Sequence, residues 1–267
     1  MLCSLQNLPT WTAHVRFHQR IFFGFALSRF VWPWALGLCA LLLSSVSHAA
    51  RPMITDDARL VDEKSCQVES WTRKNRSSHE FWAIPSCNVN GNLELAFGGS
   101  RVRESGQSSE LLDTLVQAKT LFRPLTVNGW GFGLAVGSVS HHHLADRRDY
   151  YAYVPASFSF KDDLFVAHTN IGWLREKETG RQLMTWGLGS ETQLTDRSWL
   201  VAETFGQNQG KPFFQVGVRY WIVRNHIQID TTLGNRFGGS VSQNFSGNSQ
   251  ERWLSIGLRL LSVPFLP

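Results

Sequence analysis

From residue 64 onward the chain repeats one unit, about ten residues of alternating polarity followed by a turn-forming cluster. "FFQVGVRYWIV" sets Phe214, Val216, Val218, Tyr220 and Ile222 against Gln215, Gly217, Arg219 and Trp221. "RWLSIGLRLL" sets Leu254, Ile256, Leu258 and Leu260 against Ser255, Gly257 and Arg259, and "GWGFGLAVG" separates its large apolar residues from glycine and alanine in the same way. A period of two predicts strands rather than helices. The runs are 64–74, 79–88, 92–102, 110–122, 129–140, 150–160, 164–175, 181–194, 198–207, 212–223, 226–235 and 251–261. Transmembrane strands need about 9–11 residues, whereas strands of soluble sheets more often run about 5–6. One face is apolar and the other is glycine, polar or charged. That fits either a soluble core or a wall with lipid outside and a polar lumen within.

The connections favour the wall. Those after even-numbered runs are NVN, RPLTVNG, KDD, TDR and RN, while those after odd-numbered runs include ESGQSS, HHHLADRRD, EKETG and NRFGGSVSQNFSGNSQ. Short turns on one rim and longer loops on the other are expected of an outer-membrane barrel. Trp71, Trp130, Tyr150, Tyr151, Trp173, Trp199 and Trp253 fall near strand ends, where interfacial girdles form. Pro155 falls within a run and predicts a bulge.

Composition adds export. Residues 30–47, FVWPWALGLCALLLSSVS, carry no charge and follow Arg16, Arg20 and Arg29. Ser47 and Ala49 then occupy the −3 and −1 positions of a cut after Ala49. This is a secretory signal pattern. A start site placed too early and an uncleaved anchor helix are the competing readings. The formal net charge of +5 comes largely from that leader. Three of the 26 basic residues precede residue 50, where no acidic residue occurs, and the other 23 are interspersed with 21 acidic ones. No nucleic-acid footprint remains. Of the four cysteines, Cys3 and Cys39 lie in the leader. A hairpin centred on Asn75 to Ser78 sets Cys66 opposite Cys87, and Val68, Ser70 and Thr72 opposite Pro85, Ala83 and Phe81. Directly opposed cysteines in an oxidising compartment form a structural disulfide.

The same alternation aims Glu94, Gln117, Lys119, His168, Asn170, Glu191, Arg219, Gln228, Asp230 and Arg259 into the lumen, beside space left by Gly98, Gly131, Gly133, Gly187, Gly189, Gly217 and Gly257. These side chains either line a conduit or site for a small solute, or fill the barrel as opposed acids and bases. His141, His142 and His143 fall in a loop with Asp146 and Asp149, a poor arrangement for one metal ion. His168 is read without a partnered serine in the neighbouring strand, and G-x-S-x-G, H-E-x-x-H and phosphate-loop motifs do not occur. Asp56-Asp57 and Asp162-Asp163 are assigned to capping, turns and solubility. No catalytic residue, cofactor or metal site is assigned, and the chain is not read as an enzyme.

"RPMITDDARLVDEKSCQVESW" (51–71), "GNLELAFGG" (91–99), "NGWGFGLAVG" (128–137), "YYAYVPASFSF" (150–160) and "LRLLSVPFLP" (258–267) resemble the proteobacterial outer-membrane proteins grouped as the "MetA pathway of phenol degradation" family. The resemblance implies an outer-membrane β-barrel and at most a role in uptake of aromatic compounds. It transfers no functional position. The closing Pro264-Phe265-Leu266-Pro267 departs from the aromatic residue that commonly ends such barrels.

The expectation is therefore an all-β protein, an antiparallel up-and-down transmembrane β-barrel of about twelve strands. It has a cleaved signal peptide (1–49), a periplasmic N-terminal segment (50–63), the barrel (64–261) and a periplasmic C-terminal tail (262–267). The expected partners are outer-membrane lipid, the barrel-insertion machinery and a small solute, aromatic or hydrophobic. A channel or binding protein leads; a structural or surface-interaction barrel with a closed lumen, a barrel lipid hydrolase and a soluble periplasmic β-protein stay open.

Overall fold

The computed structural model describes residues 53–106, 110–142, 147–238 and 252–266. The expected signal peptide lies outside them. The alternating runs form twelve strands: β1 (Cys66–Asn75), β2 (Ser78–Asn88), β3 (Glu94–Glu104), β4 (Glu110–Arg123), β5 (Trp130–His141), β6 (Arg147–Phe160), β7 (Phe165–Arg175), β8 (Gln182–Thr195), β9 (Ser198–Gln207), β10 (Phe213–Val223), β11 (Ile227–Arg236) and β12 (Trp253–Leu261). Each pairs antiparallel with its chain neighbours, and β12 returns to β1 to close the barrel. Closure leaves no strand edge unpaired.

The first hairpin has the expected register, with Cys66 opposite Cys87, Val68 opposite Pro85 and Thr72 opposite Phe81. The two cysteines are bonded, across a Cα spacing of 4.0 Å. Chain direction sorts the connections into two rims. The terminus rim carries 89–93, 124–129, 161–164, 196–197 and 224–226 together with both ends of the barrel. There the amides of Phe265 and Leu266 donate to the Lys64 carbonyl at 2.9 and 3.0 Å, pinning the tail to the start of β1. The loop rim carries the connections after the odd strands.

The wall is inside out relative to a soluble protein. Phe97 and Ile171 are each 64% exposed on the outer face, whereas Lys119 at 4% and Gln228 at 1% are buried inside. Water would penalise such a continuous apolar exterior; acyl chains would not.

The bulge expected at Pro155 does not form. Pairing of β6 with β5 lapses over Val154 and Pro155, opposite Gly133 and Leu134, and resumes in the same register. β2 and β3 do the same at Ile84 and Pro85, opposite Phe97 and Gly98. A proline lacks one ladder donor, and a local gap absorbs that loss without an extra residue. The register shifts that do occur, at Leu121/Arg123, Gln193/Thr195 and Trp221/Val223, all lie beside the terminus rim.

Residues 53–63 differ most from expectation. They do not extend outside the barrel as a periplasmic segment. Thr55, Ala58 and Val61 are buried, and the segment hydrogen-bonds to lumen-facing side chains of five strands.

Candidate functional site

A strand pairs its backbone with its neighbours, but a segment inside the lumen has no ladder to join. Its amides must find side-chain acceptors, because a buried unpaired amide costs about 1–3 kcal/mol. The wall supplies them. Glu203 on β9 accepts from the amides of Ile54 and Thr55, each at 2.7 Å. Asn170 on β7 accepts from the Asp56 amide at 2.7 Å and donates to the Asp56 carbonyl at 2.8 Å. Ser157 on β6 accepts from the Ala58 amide at 2.8 Å. Glu94 on β3 accepts from the Val61 amide at 2.8 Å, and Asn88 on β2 donates to the Val61 carbonyl at 2.8 Å.

Charge fixes the same segment a second time. Lys119 on β4 lies 2.8 Å from Asp56 and 3.6 Å from Asp57. Tyr153 donates to Asp56 at 2.8 Å. Arg59 reaches Asp57 at 3.4 Å and Glu191 at 3.6 Å. Burial pushes Asp57 upward, but Lys119 and Arg59 outweigh it and hold its carboxyl at about 2. Asp56 and Asp57, assigned to capping and solubility, are thus half-buried partners of the wall. Alternation stops before residue 64, so no periodic signal marked the segment as part of the barrel.

Each proposed lumen residue has a definite place. Glu94, Lys119 and Asn170 touch the segment directly. Glu191 meets it through Arg59, and Arg219 donates to Glu191 at 2.6 Å. Asp230 and Arg259 sit apart from it: Asp230 opposes Arg219 across the β10–β11 ladder, and Arg259 donates to Gln67 at 2.8 Å. Gly187 and Gly189 leave room, yet the segment uses it. A Cβ on Gly187 would lie 2.5 Å from the Thr55 hydroxyl, and one on Gly189 2.0 Å from the Met53 methyl.

His168 does have a serine partner in the next strand, contrary to the sequence reading. Ser157 is its cross-strand neighbour, with Oγ 2.8 Å from Nδ1. Oγ also accepts from the Ala58 amide, and the far ring nitrogen, Nε2, lies 3.6 Å from Glu191. Ser157 is fully buried beneath the segment. The trio holds the segment in place. His141 ends β5 rather than sitting in a loop, and its ring lies between Asp113 at 2.8 Å and Asp149 at 3.2 Å. His143 and Asp146 lie outside the described residues.

Towards the loop rim the lumen changes character. Trp71 and Trp82 stack with centroids 5.4 Å apart. Phe205, Phe213 and Trp253 form a cluster with spacings of 5.6, 5.9 and 6.4 Å. Arg236 lies 4.4 Å over Phe213, and Arg73 lies 5.2 Å over Trp253. These rings form an arc on β2, β1, β12, β10 and β9, with stacked Tyr151 and Tyr153 on β6 across the barrel. A cavity of ≈ 1140 Å³ is lined by these rings, Trp253 excepted, and also by Asp57, Arg59 and Glu191.

The interfacial girdle therefore needs correction. Trp130, Tyr150 and Trp173 are exposed on the outer face, but Trp71 and Trp253 are buried inside, and Tyr151 and Trp199 line the cavity. Strand parity held the missing signal, because Trp71 shares its face with Gln67 and Glu69.

Residues 37–261 match the family described as "Uncharacterised conserved protein UCP029691". The chain belongs to that family. No curated protein matches it. Among solved structures it is similar to the KdgM porin, with 11% identity, TM-score 0.54 and coverage of 73% of this chain and 98% of that one. It is similar to the NanC porin at 9% identity and TM-score 0.54, covering 74% of this chain and 100% of that one. The COG4313 outer membrane channel from Pseudomonas putida F1 aligns at 10% identity and TM-score 0.51, covering 80% of this chain and 100% of that one. At such identities the likeness concerns the fold, a closed antiparallel barrel of the outer-membrane type.

Proposed function

We propose that this family member is an outer-membrane channel or binding protein for a small aromatic or otherwise flat apolar solute. The carrying observation is the cavity that joins an aromatic half-lumen to the segment 53–63. The terminus rim, with its short turns, faces the periplasm, and the loop rim faces outward. A solute entering from the loop rim meets ring faces, which accept flat apolar surface, and arginines stacked on those rings. It then meets the segment, which narrows the way to the periplasm. The resemblance to the phenol-degradation group points to the same solute class. The KdgM porin, whose structure is described in complex with disordered oligogalacturonate, supports the porin-like use of such a lumen.

The refolded barrel in a planar bilayer tests this. Phenol and benzoate added on the loop side should quench tryptophan fluorescence and reduce the current, while glucose should do neither. A barrel that responds to none of them, and conducts only after removal of residues 53–63, would favour the second reading: a structural barrel whose lumen the segment permanently closes. The bonds of Glu203 and Asn170 to the segment give that reading its support.

A further inference from the structure

The outer face of the wall is almost free of charge, and the exceptions are not scattered. On the strand faces turned away from the lumen, the charged residues among those described are Lys74, Arg101, Arg103, Glu110, Arg148 and Arg175, with Arg123 the single one beside the terminus rim. All but Arg123 stand at the loop-rim ends of their strands, five cations against one carboxylate. Arg123 reaches the outer face only because the shift at Leu121/Arg123 sets it opposite Phe132, and its guanidinium stacks 4.1 Å over Trp130.

Cross-strand pairing gathers most of the loop-rim set into one patch. Lys74 opposes His79, His79 opposes Arg103, and Arg103 opposes Glu110, giving a single row across β1 to β4. The next row towards the membrane interior is Thr72, Phe81, Arg101 and Leu112. Glu110 bridges both arginines, at 2.9 Å to Arg101 and 2.5 Å to Arg103. One carboxylate cannot saturate two guanidiniums, and their side chains stay 64% and 70% exposed. Directly below lie Phe81, Phe97 and Leu112, all exposed and apolar. Cations above an acyl-facing surface, on one side of the membrane only, match a lipid whose headgroup is anionic and multidentate. Guanidinium pairs recognise phosphate well.

We propose that the row Lys74–His79–Arg103 with Arg101, on the outside of β1–β3, binds the phosphate groups of an outer-leaflet glycolipid whose acyl chains lie on Phe81, Phe97 and Leu112. The site rests on the membrane orientation given above but not on solute passage, so a silent channel would leave it standing. The test uses the refolded chain in detergent and lipid A in two forms, bisphosphorylated and dephosphorylated, with binding read by native mass spectrometry. Bisphosphorylated lipid A should bind the wild type and the dephosphorylated form should not. Combined Lys74→Gln, Arg101→Gln and Arg103→Gln should weaken binding on the order of a hundredfold, at about fivefold per cation. Arg123→Gln should change nothing, and Glu110→Gln should tighten binding by removing the competing carboxylate. Heat-modifiable gel migration confirms that each variant is folded. Equal binding of the dephosphorylated lipid, an unaffected triple variant, or an equal shift from inorganic phosphate alone would overturn the proposal.

Discussion

The two halves of the lumen are built from the same strands by the same alternation, yet they solve opposite problems. Near the terminus rim, inward positions carry Glu94, Lys119, Glu191 and Arg219, and each is matched by an opposite charge or a backbone amide. Near the loop rim, inward positions carry Trp71 stacked on Trp82, Phe205 stacked on Phe213, and Trp253 tilted against both phenylalanines, and the first four of these rings line the cavity. The first half spends its polar groups on the chain's own N-terminal segment. The second leaves ring faces towards a space wide enough for a solute. Parity along a strand decides what faces inward, while position along it decides whether that side chain meets the N-terminal segment or another ring.

Breaking the charged half should cost the most. Arg219→Ala leaves Glu191 buried beside His168 with its strongest partner gone, and should destabilise the barrel by about 3–5 kcal/mol. Urea unfolding followed by gel migration reads the loss. Arg219→Lys should recover part of it, because charge returns without the planar fork.

The disulfide sits at the terminus rim and belongs to neither half. Cys66→Ser with Cys87→Ser should lower stability by roughly 3 kcal/mol in the chain-entropy view, with no change in the solute response. A changed response would show that the rim and the cavity are coupled.

The aromatic half should fail differently. Phe213→Ala removes the ring beneath Arg236 and beside Trp253. It should weaken phenol block of the current about tenfold, in line with about 0.5–1.5 kcal/mol for an aromatic pair plus lost burial. Unblocked conductance should stay as in the wild type. Equal weakening by Arg219→Lys would dissolve the distinction between the halves.

Acid gives the smallest and most specific effect. Asp57 is held at about 2, below the ordinary carboxylate value, so its hold on the segment is complete above about pH 4. That hold is lost as the pH falls towards 2. Conductance should rise over that interval in the wild type, and Asp57→Asn should already show the raised value at neutral pH.

Much of the wall was legible from residue order alone. The 198–207 run coincides with β9, and the Cys66–Cys87 hairpin has its expected pairs, because a two-residue period and a local turn leave few alternatives. The charged half was legible as a set of inward side chains but not as a binding surface. Its partner, residues 53–63, has no period, and Glu203 meets Ile54 across 149 residues of sequence. Tryptophans near strand ends drew attention to the membrane interface, although Trp71 and Trp253 share a strand face with polar neighbours. Pro155 shows another limit: the chemistry demanded a lost ladder bond, and residue order did not distinguish a bulge from the gap that forms opposite Gly133 and Leu134.

Single-channel conductance of the mature barrel with and without residues 53–63, both verified as folded by heat-modifiable migration, tests the division of the lumen most directly. The structure predicts a conductance at least about tenfold higher without the segment, with phenol block retained because the rings remain in place. Identical conductance in the two proteins, or block that disappears with the segment, would contradict it.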